Sequence, residues 1–212
     1  MLLLVTAAFA LACDQAVFSQ IATPVPDGDG HGVATGTTTF EGKGVVGGNF
    51  SIYSPYSAEQ WRTVLMDAEN QDVWVPKRFG YQKSNRIDRD HFYLAFDLAF
   101  LYDAVHVQRQ LVVQVQNDQK DSTVRSCWWM VDPTPFHSTI ASKGWTSDAE
   151  WERAMMGRWT VTPQADGRSL VSYQWWTEEG KVPSPILRYA VGRTLPDLLD
   201  AFNERVRQIS GK

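Results

Sequence analysis

Residues 91–101 read HFYLAFDLAFL, and residues 104–116 read AVHVQRQLVVQVQ. Both stretches are rich in strand-forming residues, and the second alternates in the period-two pattern of a half-buried strand. Only Tyr102 and Asp103 separate them, a hairpin-length connection. In the second strand Val105, Val107, Arg109, Leu111, Val113 and Val115 share one face, while His106, Gln108, Gln110, Gln114 and Gln116 share the other. Pairing Leu101 with Ala104 puts Phe92, Leu94, Phe96, Leu98 and Phe100 beside the valine row; a slip of one residue would turn them to the opposite side. This register predicts an apolar sheet face with one charged intruder, Arg109, opposite Phe96.

The rest of the chain extends this sheet. A third strand is predicted over about 123–131. A second hairpin spans 156–163 and 169–177, with a turn at Ala165-Asp166-Gly167. Opposing Pro163 to Ser169 puts Trp159, Val161, Val171, Tyr173 and Trp175 on one face. Upstream, Ser57 and Gln60 form a capping box. Trp61, Val64, Leu65 and Ala68 follow at helical spacing, and a further turn runs to Trp74 before Pro76 stops it. Residues 132–154 read as loop or short helix. The C-terminal segment from 184 to 209 is helical, about 39 Å long at about 1.5 Å per residue. Ser184-Pro185 marks its start, Gly192 and Pro196 are expected to interrupt it, and Thr194 with Asp197 to restart it. Leu195, Leu198, Leu199, Phe202, Val206 and Ile209 form its apolar stripe. The expected class is α+β: a curved antiparallel sheet wrapped around a long C-terminal helix. The gap between them forms an internal hydrophobic cavity with aromatic walls suited to an apolar ligand.

Composition supports one globular domain. The chain has 212 residues, 43% hydrophobic and 21% charged, with nine Trp, ten Phe and seven Tyr. A net charge of −4 without a basic excess argues against a nucleic-acid partner. Residues 1–12 carry no charged side chain, are too short to cross a bilayer and suit a signal peptide. Ala10-Leu11-Ala12 before Cys13 resembles a bacterial lipobox, which would make Cys13 the lipidation site of a protein anchored in the cell envelope. The alternative is a soluble periplasmic or secreted protein cleaved after Ala12. With Cys13 lipidated, Cys127 is a lone buried thiol; a Cys13–Cys127 disulfide would contradict the lipoprotein reading. Two Cys and four His offer no zinc-type spacing. Residues 13–44 read as a flexible Gly-rich linker and 45–212 as the folded domain. Within the linker, DGDGHG at 27–32 is similar to the start of a calcium loop, but Thr38 stands where a bidentate Glu belongs and His31 replaces an oxygen ligand.

Several stretches resemble START-type lipid-transfer proteins, within the larger polyketide cyclase/START-like superfamily. They are GRWTVTPQADGRSLVSY (157–173), EEGKVP (178–183), TLPDLL (194–199), WRTVLMD (61–67) and the strand residue Arg109. The resemblance spans about 45–209. It implies a helix-grip fold that holds a lipid or other hydrophobic molecule in a closed tunnel. The family often has Arg-Asp where this chain has Arg109-Gln110. The superfamily also contains cyclases and hydrolases, and fold alone does not choose among these activities.

The candidate ligand-binding residues are Phe92, Leu94, Phe96, Arg109, Leu111, Trp159, Tyr173 and Trp175; the face of Trp128 is unassigned. A buried guanidinium needs an anionic or polar partner, so Arg109 contacts either a ligand head group or a structural acid. His106 falls with the Gln row, His91 with Tyr93 and Asp97, and His137 in a loop near the cavity mouth. No catalytic constellation, cofactor site or metal site is legible. The expected function is binding, and transfer, of a hydrophobic molecule by a monomer, through opening of the C-terminal helix or a loop near 132–150. One alternative is a cyclase- or hydrolase-type enzyme using Arg109 to bind an anionic oxygen and Tyr173 as donor. Another is an accessory lipoprotein with a filled interior that acts through its surface.

Overall fold

The computed structural model describes residues 13, 16–28, 30–100, 105–145, 148–152, 154–178 and 183–211. The signal-peptide reading, Asp29, the 101–104 connection, the side chain of His106 and part of the 178–183 stretch lie outside the described residues.

Nine described strands form one sheet: β1 Gly32–Phe40, β2 Lys43–Ser54, β3 Tyr81–Arg86, β4 His91–Phe100, β5 Val105–Lys120, β6 Thr123–Val131, β7 Glu150–Trp151, β8 Met155–Pro163 and β9 Ser169–Glu178. The order across the sheet is β1-β2-β9-β8-β6-β5-β4-β3, antiparallel throughout, with β7 adding a short parallel pairing to β5. The helices are α1 Ala58–Leu65, α2 Gln71–Trp74, α3 His137–Ser142 and α4 Ser184–Ile209.

Both hairpin registers agree with the sequence reading. Phe96 pairs with Arg109 and Leu94 with Leu111; Pro163 pairs with Ser169 and Trp159 with Tyr173. Helix α1 starts at its capping box, with the Gln60 amide donating to Ser57 Oγ (3.3 Å) and the Ser57 amide to Gln60 Oε1 (2.9 Å). The Trp61 indole donates to Ser54 Oγ (2.9 Å), which donates to Asn203 Oδ1 (2.7 Å), tying α1, β2 and α4 together.

Helix α4 is continuous, contrary to the expected interruption. The missing amide of Pro196 would have bonded the carbonyl of Gly192 four residues earlier. Leu187 and Val191 before that point, and Leu198, Leu199, Phe202 and Val206 after it, are all buried. Packing on both sides outweighs one absent bond. Pro183, with no side-chain cap, flanks the helix start where Ser184 was expected to do so.

The linker expectation fails between 32 and 44, which form β1 and the start of β2. Their hairpin turns through Glu41 (φ 49°) and Gly42 (φ 78°), a two-residue turn with both residues at positive φ. Further along β2, Gly47 and Gly48 reflect close packing. A Cβ on Gly47 would meet the Trp176 ring at 2.6 Å, and one on Gly48 the Phe50 ring at 2.5 Å. His31, the misfit in the calcium-like motif, bonds Asp200 on α4 at 2.9 Å.

The inner face of the sheet, α1 and α4 enclose the main core. Two covers close the outer face. On one half Val17 and Phe18 pack on Val45, Met156 and Trp176. This N-terminal strap is held by Arg158 to the carbonyls of Cys13 (2.9 Å) and Phe18 (3.3 Å), by Gln174 to those of Phe18 (2.8 Å) and Ile21 (3.1 Å), and by Asn49 to that of Ile21 (3.2 Å). On the other half Ile140, Phe136, Trp145 and Trp151 pack on Tyr93, Ala95 and Val112. Residues 136–145 together with Trp151 are therefore an outer cover, and His137 lies against Trp151 there (5.3 Å between rings), not at a cavity mouth.

The strap is also stapled. Cys13 and Cys127 form a disulfide with Cα atoms 5.4 Å apart. Cys127 is thus not a lone buried thiol, and a sulfur in a disulfide cannot carry a thioether-linked lipid. The expected lipidation of Cys13 is incompatible with the bridge in this structure.

Candidate functional site: an aromatic cavity under the terminal helix

A cavity of about 160 Å³ lies between the inner face of the sheet and α4. Its size is on the scale of the ~150 Å³ cavity that accepts a benzene ring. Six of the eight expected residues line it: Phe92, Leu94, Phe96, Trp159, Tyr173 and Trp175. Strand parity put them on the inner face, and register placed them opposite one another.

Leu111 and Arg109 do not line it. Leu111 is fully buried in the packed core. Arg109 stands opposite Phe96 as predicted, but its Nη1 lies 3.2 Å from Glu150 Oε2 and its Nε 3.6 Å from Glu152 Oε2. Strand β6 pairs with β5 only from Val112 onward. Beyond that point β7 takes its place beside Arg109 and supplies the acids. The structural reading of Arg109 therefore holds, and Arg109 and Tyr173 are not brought together at the cavity.

Gln110, on the Gln-rich face of β5, is buried. It accepts from the Tyr93 hydroxyl (2.9 Å) and donates to the Ala149 carbonyl (2.6 Å), fixing the outer cover. Burial raises the Tyr93 pKa above its ordinary value.

A third wall comes from β6, where the face of Trp128 was unassigned, and the roof from α4, where Leu198 and Phe202 belong to the expected apolar stripe. Ser126 and Trp128 on β6, and Val191, Leu198 and Phe202 on α4, also line the void. Trp128 shares the inner face because Val115 pairs with it across a two-residue turn at Asp121 (φ 49°) and Ser122 (φ 66°). Its indole lies over Gly157, where a Cβ would sit 2.5 Å from the ring. Trp159 is stacked between Tyr173 (4.2 Å) and Phe202 (4.5 Å), an aromatic pillar from sheet to helix. Such pairs add about 0.5–1.5 kcal/mol each beyond buried area.

The opening is marked by the exposed lining residues Arg78 and Thr194, with Gln71 and Leu195 half-buried beside them. Gly80, at positive φ (77°), ends the turn carrying Phe79, and its carbonyl accepts from the Asp97 amide (2.8 Å). That aims buried Phe79 into the cavity while Arg78 stays at the rim. Arg78 Nη2 reaches Asp197 Oδ2 on α4 at 3.7 Å. Both side chains are more than half exposed, so this pair across the mouth adds little stability. No Asp, Glu, His or Lys lines the cavity among the described residues.

A nine-stranded antiparallel sheet closed by one long terminal helix over an apolar void has clear counterparts among solved structures. A STAR-related lipid transfer protein from Xanthomonas axonopodis superposes with a TM-score of 0.63 at 20% identity, over 86% of this chain and 97% of that one. The chain has a START-like helix-grip fold. Human StAR-related lipid transfer protein 5 matches with a TM-score of 0.60 at 11% identity, over 88% of this chain and 86% of that one. Human STARD10 matches with 0.58 at 11% identity, over 81% and 72%. No protein-family model and no curated protein sequence matches the chain. At such identities the START-like fold is what these structures share with this chain.

Proposed function

We propose that this START-like chain binds a hydrophobic small molecule in the cavity beneath α4 and carries it between apolar sites of the cell envelope. The aromatic-walled void supports this most strongly: such a space holds apolar matter without any catalytic group. Two solved neighbours are named for lipid transfer, which is consistent with the reading. A ring or short chain fits the closed form; a longer acyl chain requires the mouth to widen. Widening would separate α4 from the 68–80 segment and break the Arg78–Asp197 pair, rather than move the 132–150 loop. The enzymatic alternative loses its proposed pair, because Arg109 is engaged by Glu150 and Glu152 away from the cavity.

We further propose a soluble exported form. Disulfides persist in oxidising compartments, and Cys13–Cys127 integrates the strap into the fold. Non-reducing peptide mapping should recover the two cysteines in one linked species; a lipid-modified Cys13 would refute this form.

Titration with N-phenyl-1-naphthylamine tests the binding reading. Saturable one-to-one fluorescence enhancement with quenching of tryptophan emission is expected. Val115→Phe, which fills space at the wall, should remove it while the circular dichroism is retained. Absence of saturable binding to the folded wild type would overturn the proposal.

A further inference from the structure

The inner row of β6 runs Val124, Ser126, Trp128, Met130, and Ser126 is its one polar member. Ser126 is 4% exposed and lines the cavity. Its cross-strand neighbours are Asn117 on β5 and Trp159 on β8. No hydrogen bond is made by its hydroxyl among the described residues; unlike the fully enclosed unpartnered atoms Asn49 Oδ1, Ser169 Oγ and Trp176 Nε1, it borders the cavity space. Buried hydroxyls are normally bonded, and one left unmatched inside a binding cavity is a group waiting for a ligand atom.

Charge narrows the ligand. Among the described residues the one ionised group lining the void is Arg78, exposed at the mouth and paired with Asp197. A carboxylate beside Ser126 would be desolvated without a counter-charge, whereas a hydroxyl or carbonyl would be matched, since serine both donates and accepts. Resting on the binding reading above, we infer that Ser126 is the specificity-determining residue of the cavity. It selects an uncharged, mainly apolar molecule that carries one hydrogen-bonding oxygen at its buried end. The ring or chain fills the space among Trp128, Trp159 and Tyr173 while the oxygen meets Ser126 Oγ.

Calorimetric titration of the wild-type chain and Ser126→Ala with 4-methylphenol, toluene, 4-methylbenzoate and dodecan-1-ol tests this. 4-Methylphenol should bind the wild type about tenfold more tightly than toluene, and Ser126→Ala should bring the two within about twofold. 4-Methylbenzoate should not compete. Dodecan-1-ol showing the same dependence on Ser126 would assign the site to long-chain alcohols; dependence confined to 4-methylphenol would assign it to ring compounds. The free Ser126→Ala protein should melt at or above the wild-type temperature, because an unmatched hydroxyl has been removed. Equal affinity of the wild type for toluene and 4-methylphenol, an unchanged preference in Ser126→Ala, or a lower melting temperature for the free variant would each overturn the inference while leaving the binding function in place. No saturable binding of any probe would overturn both.

Discussion

The two faces of the sheet are built from the same strands and have opposite fates. On the inner face one helix about 39 Å long faces the sheet, and a helix some 10 Å across leaves space beside it. Aromatic side chains prop that space open: the Tyr173–Trp159–Phe202 stack is a pillar, not a plug. On the outer face, lengths of chain are threaded along the strands and closed over them. There the buried polar side chains Asn49, Gln110 and Gln174 reach main-chain carbonyls of the covers, and Arg158 does the same. On the inner face Ser126 borders the cavity. A void survives where large rigid side chains meet a stiff element, and is eliminated where flexible chain can follow the surface.

The sharpest way to break this contrast is to remove the pillar. Trp159→Ala should destabilise the fold by about 3–5 kcal/mol, as large aromatic truncations in cores do. It should also enlarge the cavity and shift its preference to bulkier ligands, read by chemical denaturation and probe titration. Loss of stability without any change in ligand preference would mean that the stack is ordinary core.

On the outer face the corresponding change is Cys127→Ser. The bridge closes a loop of sequence separation 114, and its loss should cost about 2–4 kcal/mol. That corresponds to a melting temperature lower by roughly 4–16 °C for a chain of this size. Probe affinity below the transition should be unchanged, because the strap touches only the outer face. A marked fall in affinity would show that the two faces are coupled.

A smaller effect is expected at the Tyr93–Gln110 contact. The Tyr93 pKa is raised by burial, so its contribution to stability is complete below the unfolded pKa of about 10 and is lost as pH rises through the folded value. Tyr93→Phe should flatten the alkaline fall in stability measured by denaturation. An identical alkaline profile would remove Tyr93 as its source.

The smallest effect on binding belongs to Arg109→Ala, which should leave probe affinity unchanged and lower stability modestly through the loss of its acids. An affinity loss would return Arg109 to the ligand site.

Much of this contrast was legible from side-chain alternation. The 91–116 and 156–177 hairpins carry clean period-two patterns, so their register and six of the eight nominated cavity residues followed. The failures share a cause: a contact made far along the chain. Gly47 of β2 read as flexibility because the Trp176 ring that crowds it lies on β9. Gln110 gives no local sign of its cover, which includes Ala149, and the choice between ligand head group and structural acid at Arg109 stayed open because Glu150 arrives on a two-residue parallel strand. Trp128 had no assigned face because Asp121-Ser122 is not a familiar turn pair, although both residues adopt positive φ. Strand parity is local; what covers a face is not.

The most direct measurement is native mass spectrometry of the chain purified without detergent, followed by solvent extraction. A discrete excess mass that solvent removes and that proves to be an uncharged apolar compound is expected. A bare protein mass that persists after incubation of the folded chain with envelope lipids would contradict the binding reading.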